Sequence, residues 1–304
     1  MDKSAPASGS SGNLLADRRF AMAETYREEK DYAGAADLYE QVLELTPEWA
    51  AAWMALGEMQ EKLEQREKAA AAFSRVLAFD PGDELGASLH LARLGGRAPT
   101  TAPASYVRSL FDQYADRFDS HLTEKLAYRA PALLAEAVAG LRSTTFDHTI
   151  DLGCGTGLCG AIFREQTRTL TGVDLAPKMI AEAAAKTISD RLEVADLVPF
   201  LAAEPQASAD LLLAADVLVY IGDLAPLFAG AASVLASGGL FAFTVQRGEG
   251  GYMLGSDLRY AHAPIYVAAT AAAAGFRIVH SDPVSTRKDA GRDVPGLVVV
   301  AERV

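Results

Sequence analysis

The stretch Ile150-Asp151-Leu152-Gly153-Cys154-Gly155-Thr156-Gly157 constrains this chain more than any other. An apolar run ends in an acid-containing pair, and glycines alternate with small residues until helix-forming sequence resumes at Leu158. Glycine reaches positive φ without steric cost and lets the backbone approach a ligand closely. The segment therefore reads as strand, tight turn and helix. The helix after such a turn offers free N–H groups and a positive dipole end to an anionic group. Asp174 ends the next apolar run about twenty residues on, where a carboxylate accepts both hydroxyls of a ribose. Asp196 follows the third run, placed to accept from an exocyclic adenine amine. The turn and the two acids fall at the C-terminal ends of three successive strands, where open α/β sheets bind ligands.

The surrounding pattern alternates short apolar strands with helices. Strands are predicted at Asp147–Leu152, Leu170–Asp174, Leu192–Ala195, Leu211–Ala215, Leu240–Val245, Phe276–His280 and Gly296–Ala301. Helices are predicted at Tyr106–Phe118, Leu122–Gly140, up to Glu165, Pro177–Thr187, Leu224–Leu235 and Ile265–Ala274. Such alternation implies a parallel sheet covered on both faces. The last two strands are joined by a polar segment interrupted by proline, with no crossover helix, so they form an antiparallel hairpin.

The first third is different. At an offset of 34 residues Ala35 aligns with Ala69, Tyr39 with Phe73, Leu43 with Leu77 and Pro47 with Pro81. The second copy adds Trp53, Leu56 and Gly57, and Arg19 stands where Trp53 stands in the second. The spacing resembles the tetratricopeptide repeat. Small Ala35 and Ala69 let antiparallel helices approach, Tyr39 and Phe73 fill the groove, and the prolines stop each second helix. A third helix, about Asp83 to Leu94, caps the open face. The chain is thus divided into a disordered tail (1–12), a helical repeat domain (13–95), a Gly/Pro/Thr linker (96–105) and an α/β domain (106–304).

Half the residues are apolar and the net charge is −12. That acidity disfavours a nucleic-acid partner. The densest apolar run, Leu211 to Ile221, is broken by Asp216 and is short of a membrane span, so no membrane association is expected. The first dozen residues lack the apolar core of a secretory signal. Cys154 and Cys159 build no disulfide framework, and the reading is cytoplasmic. The five scattered histidines show no ligand spacing, so no metal site is expected.

Gly155-Thr156-Gly157-Leu158-Cys159-Gly160 also fits the dinucleotide fingerprint, and Asp174 serves that reading too. Asp151 tips the balance, since it would face the amino group of a methionine moiety rather than a pyrophosphate. The helical region before the first strand and the terminal hairpin point the same way. Together DLGCGTG, GVDLAPKMI, VADL, LLLAADVLVYIGDL and LASGGLFAFTVQ resemble the class I S-adenosylmethionine-dependent methyltransferases, over roughly residues 106–304. YVRSLFDQYADRFDSHL and LRYAHAPIYVAATAAAAGF resemble a bacterial subgroup with N-terminal tetratricopeptide repeats, although Asp257-Leu258-Arg259 replaces the usual Gly-Arg.

The resemblance implies a Rossmann-like α/β sheet of seven strands in the order 3-2-1-4-5-7-6, with one antiparallel strand. It also implies S-adenosyl-L-methionine as cofactor and S-adenosyl-L-homocysteine as product. Gly153, Cys154, Gly155 and Gly157 would line the methionine part, with Asp151 near its amine. Asp174 would hold the ribose, Leu175 and Met179 would flank the adenine, and Asp196 with Leu197 would meet its amine. Tyr106, Tyr114 and Phe118 would cover the cofactor, although Tyr114 and Phe118 also fit a plain helix-face contact. Asp216 and Tyr220 would lie near the reacting centre, or cap a turn and pack in the core. His262 suits a base at neutral pH or a hydrogen-bonded structural histidine, and Arg259 or Arg247 would clamp an anionic group.

The expected reaction is methyl transfer to N, O or C of a small molecule. The alternatives are a protein substrate recruited by the repeats, a nicotinamide-dependent oxidoreductase, and a binding module without catalysis. The repeats themselves read as a partner or homodimer contact or as an architectural extension.

Overall fold

The computed structural model describes residues 9–120, 128–141, 145–289 and 291–304. The chain divides into two compact units, residues 1–106 and 107–304.

In the first unit, α1 (Leu14–Glu28) and α2 (Tyr32–Leu45) pair, as do α3 (Ala50–Lys62) and α4 (Arg66–Phe79), and α5 (Ala87–Arg93) follows. Asn13 and Asp31 cap α1 and α2 by accepting from first-turn N–H groups, the usual way to satisfy orphan donors. Ala35, Ala69, Tyr39 and Phe73 are fully buried. Phe73 lies so close to Gly57 that a Cβ there would come within 2.6 Å of its ring, which is why the second copy carries glycine. Trp53 donates its indole N–H to the Pro47 carbonyl and stacks under Arg75. The third helix begins at Ala87 rather than Asp83. Asp83 (φ 55) and Gly86 (φ 74) are left-handed, and such residues end or precede helices rather than continue them.

The division falls within α6 (Ala104–Asp112), which stops at Asp112; in the second unit a helical turn at Phe118–Ser120 is α7, and α8 spans Ala130–Ala139. The expected continuous helix over 106–118 is thus broken. The first part of the expected 122–140 helix, residues 121–127, lies outside the described residues, and α8 opens with Pro131 in its first turn. The alternation then runs β1 (Phe146–Leu152), α9 (Leu158–Phe163), β2 (Thr167–Asp174), α10 (Pro177–Ala185), β3 (Arg191–Val194), α11 (Leu197–Ala203), β4 (Ala209–Ala214), α12 (Ala225–Val234) and β5 (Leu235–Arg247). After it come β6 (Tyr252–Leu254), β7 (Tyr260–His262), α13 (Pro264–Ala273), β8 (Phe276–Pro283), the small pair β9 (Lys288–Asp289) and β10 (Arg292–Asp293), and β11 (Gly296–Arg303).

The main strands lie in the order β3-β2-β1-β4-β5-β11-β8. Counting only these seven, the order is 3-2-1-4-5-7-6. β11 runs antiparallel to β5 and β8, and the other pairings are parallel. β7 adds beside the end of β5, with β6 antiparallel to it. Ile150, Leu152, Phe241 and Phe243 pack on one face under α11, α12 and α13. Leu211, Leu213, Ala242 and Val300 face α8 and α9. Both faces are covered, which explains the near-continuous apolar strands. Because β1 lies between β2 and β4, the order of strand connection reverses there, the place at which open sheets of this kind form a crevice at their C-terminal ends.

α11 and the β6–β7 pair escape the sequence reading because each is too short for its period to show. β7 is also buried at every position despite carrying a histidine.

Candidate active site

The turn after β1 is held by backbone. Gly153 N and Cys154 N both donate to the Val173 carbonyl, at 2.8 and 3.0 Å. Gly153, Gly155 and Gly157 have φ of 68°, 54° and 87°. A Cβ on Gly153 would sit 2.2 Å from Val217, so no other residue fits there without a shift. Asp174 Oδ2 accepts from Gly155 N at 2.9 Å and Oδ1 from Ala176 N at 2.8 Å. Burial raises the Asp174 carboxyl above the usual range, against the opposing pull of the Ala176 and Gly155 donors. Asp151 is 2% exposed and accepts from Gly160 N at 3.1 Å. Burial pushes its carboxyl up to about 7 even though Gly160 donates to it.

Phe118, Tyr128, Gly153, Cys154, Gly155 and Ala215 line a cleft beside this turn. Phe118 and Tyr114 pack with Phe111 on Ala115, Ala176 and the fully buried Met179. The Cys154 and Cys159 thiols are buried and pushed far above their usual range. Cys154 Sγ fills the space over Gly172, so the side chain packs while the backbone faces the cleft.

Three expected cofactor residues sit differently from their neighbours. Asp196 is exposed and caps α11, accepting from Val198 N at 3.3 Å. The Leu197 side chain belongs to the core with Phe200 and Leu201, which leaves only its backbone for a ligand. The Tyr106 ring lies against Gly86. Leu175 is half-buried after β2.

At the ends of β4 and β5 side chains hold one another. Asp216 has φ 61°, and its N–H donates to Thr244 Oγ1 at 2.8 Å. Arg287 Nη1 lies 2.7 and 2.8 Å from its two carboxylate oxygens, and Nη2 donates to Gln246 Oε1 at 3.0 Å. Gln246 Nε2 reaches Asp257 Oδ2, whose Oδ1 accepts from Arg259 N. The Arg259 guanidinium lies over the Tyr220 ring at 5.9 Å. Burial works against its charge, but Tyr220, Asp216 and Asp257 outweigh that and hold it above the usual guanidinium range. Leu258, at the departure from the subgroup's Gly-Arg, takes φ 61°, a conformation that glycine adopts without cost. Asp216 is thus an ion-pair partner rather than a free acid.

His262 is hydrogen-bonded inside the core. It is fully buried, and its Nε2 lies 2.9 Å from the Ile221 carbonyl and 3.2 Å from that of Gly222. Two acceptors require a donor, so Nε2 carries the proton. Nδ1 has no hydrogen-bond partner among the described residues. Tyr252 and Tyr266 pack on the ring. Burial lowers its pKa below the usual histidine value, partly offset by the two carbonyls. Enclosed in this way, the ring is not presented to the cleft as an accessible base.

Arg287, Gln246, Thr244 and Tyr128 were not singled out by the sequence. Tyr128 donates to the Ala215 carbonyl at 3.3 Å and lines the cleft. Arg287 lies in the polar segment between β8 and β11, far in sequence from Asp216, and no local pattern marks it. The Thr286–Arg287 step is 3% and 4% exposed inside an otherwise polar loop, which becomes visible only on folding. Among the described residues no group of three or more His, Cys, Asp or Glu is placed to hold a metal. No described helix is long and apolar enough to cross a membrane.

The sheet order, the glycine turn ending β1 and the acid ending β2 together define the Rossmann-like fold of class I methyltransferases. Residues 150–241 match the methyltransferase domain family, and residues 26–94 match the tetratricopeptide repeat family. By fold and by these matches the chain carries a methyltransferase domain of Rossmann-like fold preceded by tetratricopeptide repeats.

It is 25% identical over 158 residues to the ubiquinone biosynthesis O-methyltransferase of Xylella fastidiosa strain M23, covering 49% of this chain and 64% of that one. Among solved structures, the 4+2 cyclase SpnF superposes with a TM-score of 0.55 at 18% identity, over 67% of this chain and 97% of that one. The 1,6-didemethyltoxoflavin-N1-methyltransferase of Burkholderia thailandensis, with S-adenosylhomocysteine bound, superposes at 0.53 and 23% identity, over 69% and 93%. At these identities the two structures share the fold alone, and a cyclase among them underlines that fold does not name a reaction.

Proposed function

We propose that residues 107–304 bind S-adenosylmethionine at the C-terminal ends of β1 and β2 and methylate N, O or C of a small-molecule acceptor. The observation that carries the reading is the left-handed glycine turn set against Asp174. The residues fit the group. Each Asp174 oxygen takes one backbone N–H and keeps a lone pair for a ribose hydroxyl. Gly153, Cys154, Gly155 and Gly157 offer backbone to the methionine part, with Asp151 beneath. Leu175 and Met179 flank the adenine, and Asp196 and the Leu197 N–H meet its edge. Tyr114 and Phe118 cover it.

Bound there, S-adenosylmethionine supplies a methyl group already activated for in-line displacement, with S-adenosylhomocysteine as product. The chain's own task is then alignment, which supplies much of the rate in such reactions. Asp216 with Arg287, Tyr220 and Arg259 forms the acceptor side. His262 anchors the Ile221–Gly222 turn through its Nε2 proton, as a positioning residue. A small acceptor is supported by the ubiquinone biosynthesis O-methyltransferase to which the chain is similar. The repeats are assigned contact with a protein partner or a second copy.

Calorimetric titration tests the reading: S-adenosylmethionine and S-adenosylhomocysteine bind saturably and NAD does not. A saturable NAD isotherm with no response to the other two overturns it.

A further inference from the structure

Asp119 ends the segment that carries Phe111, Tyr114 and Phe118, and its carboxylate meets two other elements. Thr156 Oγ1, inside the glycine turn, donates to Oδ1. Lys186 Nζ, at the C-terminal cap of α10, lies 2.6 Å from Oδ2. Earlier in the segment, Asp112 Oδ1 accepts from Lys178 N at 2.9 Å, in the first turn of α10. The segment is therefore tied to both ends of α10 and to the turn itself. α6 buries none of its residues, and Phe111, Tyr114 and Phe118 pack on Ala115, Ala176 and Met179, with Phe111 also against Tyr220. Phe118 stands over Gly155, where a Cβ would lie 3.5 Å from its ring, and lines the cleft. A ligand held at the turn would lie beside this ring.

We propose that Asp119, Lys186 and Thr156 form a latch that holds the aromatic segment over a bound adenosyl ligand and sets the rate at which S-adenosylhomocysteine leaves. The inference rests on the adenosyl-binding reading above. Lys186 and Asp119 are 28% and 42% exposed, so their ion pair is modest and screened by salt. That strength suits a catch which opens once per turnover. Thr156 is 2% exposed, so its hydroxyl has little access to water if Asp119 is removed.

The test measures the S-adenosylhomocysteine dissociation rate on the immobilised full chain, beside the melting temperature without ligand. Lys186→Met speeds release about threefold with a melting temperature near that of the wild type, and Asp119→Ala speeds it about tenfold with a lowered melting temperature. Lys186→Arg restores slow release. Raising salt from about 50 to 500 mM speeds the wild type and leaves Lys186→Met unmoved. In the double variant Asp119→Asn/Lys186→Met the effects are less than additive. If Asp119→Ala does not fold, Lys186→Met and its salt dependence carry the test. Wild-type release rates in both Lys186→Met and Asp119→Asn overturn the latch alone. A wild type that binds neither S-adenosylmethionine nor its product overturns the adenosyl reading and the latch with it.

Discussion

At the ends of β1 to β3, carboxylates meet backbone N–H groups, most of them close in the chain: Asp174 with Gly155 and Ala176, Asp151 with Gly160, Asp196 with Val198. At the ends of β4 and β5, side chains meet partners from distant segments: Arg287 with Asp216 and Gln246, and His262 with the Ile221 carbonyl. A backbone-held site depends on a few glycines and acids and tolerates change around them. A site held by side-chain pairs is rewired by altering a pair. One fold can thereby keep one cofactor while taking different acceptors.

The sharpest way to break this contrast is Asp174→Ala. Two charge-assisted bonds to ribose hydroxyls are worth about 4 kcal/mol together, so S-adenosylhomocysteine affinity falls on the order of a thousandfold by calorimetry. Unchanged affinity removes the ribose assignment. Arg287→Met acts on the other half. It leaves the Asp216 carboxylate, whose side chain is 16% exposed, without its cation, at a cost of about 3 kcal/mol read from the urea midpoint. S-adenosylhomocysteine affinity stays within about threefold. A collapse of affinity comparable to that of Asp174→Ala shows that the halves are one unit.

The third concerns acid. His262 is held neutral by burial, with a folded pKa below the usual histidine value of 6.5. The unfolded chain binds the proton more readily, so this stability is fully present above about pH 6.5 and is lost as pH falls through the folded pKa. The slope is at most about 1.4 kcal/mol per pH unit. His262→Gln, which still offers an N–H to the Ile221 carbonyl, removes that part of the acid sensitivity. A wild-type-to-Gln difference in melting temperature that is the same at pH 7.5 and pH 5 contradicts it. The smallest effect is expected at Asp196. As an exposed helix cap, Asp196→Ala costs about 1 kcal/mol of stability and weakens S-adenosylhomocysteine by less than about tenfold. A larger loss of affinity makes the adenine contact, rather than the cap, its principal role.

Much of this architecture was legible. The repeat register put Ala35, Ala69, Tyr39 and Phe73 in the core, because a period recurring through helices is a statement about one buried face. Alternation gave a covered parallel sheet and the tight terminal connection an antiparallel pair, while the strand order was implied by the resemblance to the class I methyltransferases. Asp174 was readable because the chemistry of a strand-end turn is local. His262 was legible as a residue but not as a geometry: a histidine in a motif looks the same whether it faces a cleft or two carbonyls.

Local order along the chain thus determined the repeat register, the alternation of strands and helices, the glycine turn and the acid that ends β2, since each depends on residues within one strand, turn or helix. The tertiary structure alone decided which way His262 turns, that Arg287 pairs with Asp216, and that Asp119 bridges Thr156 and Lys186. Those choices depend on distances between segments that only folding sets. A side chain's neighbours in space leave no period in its sequence.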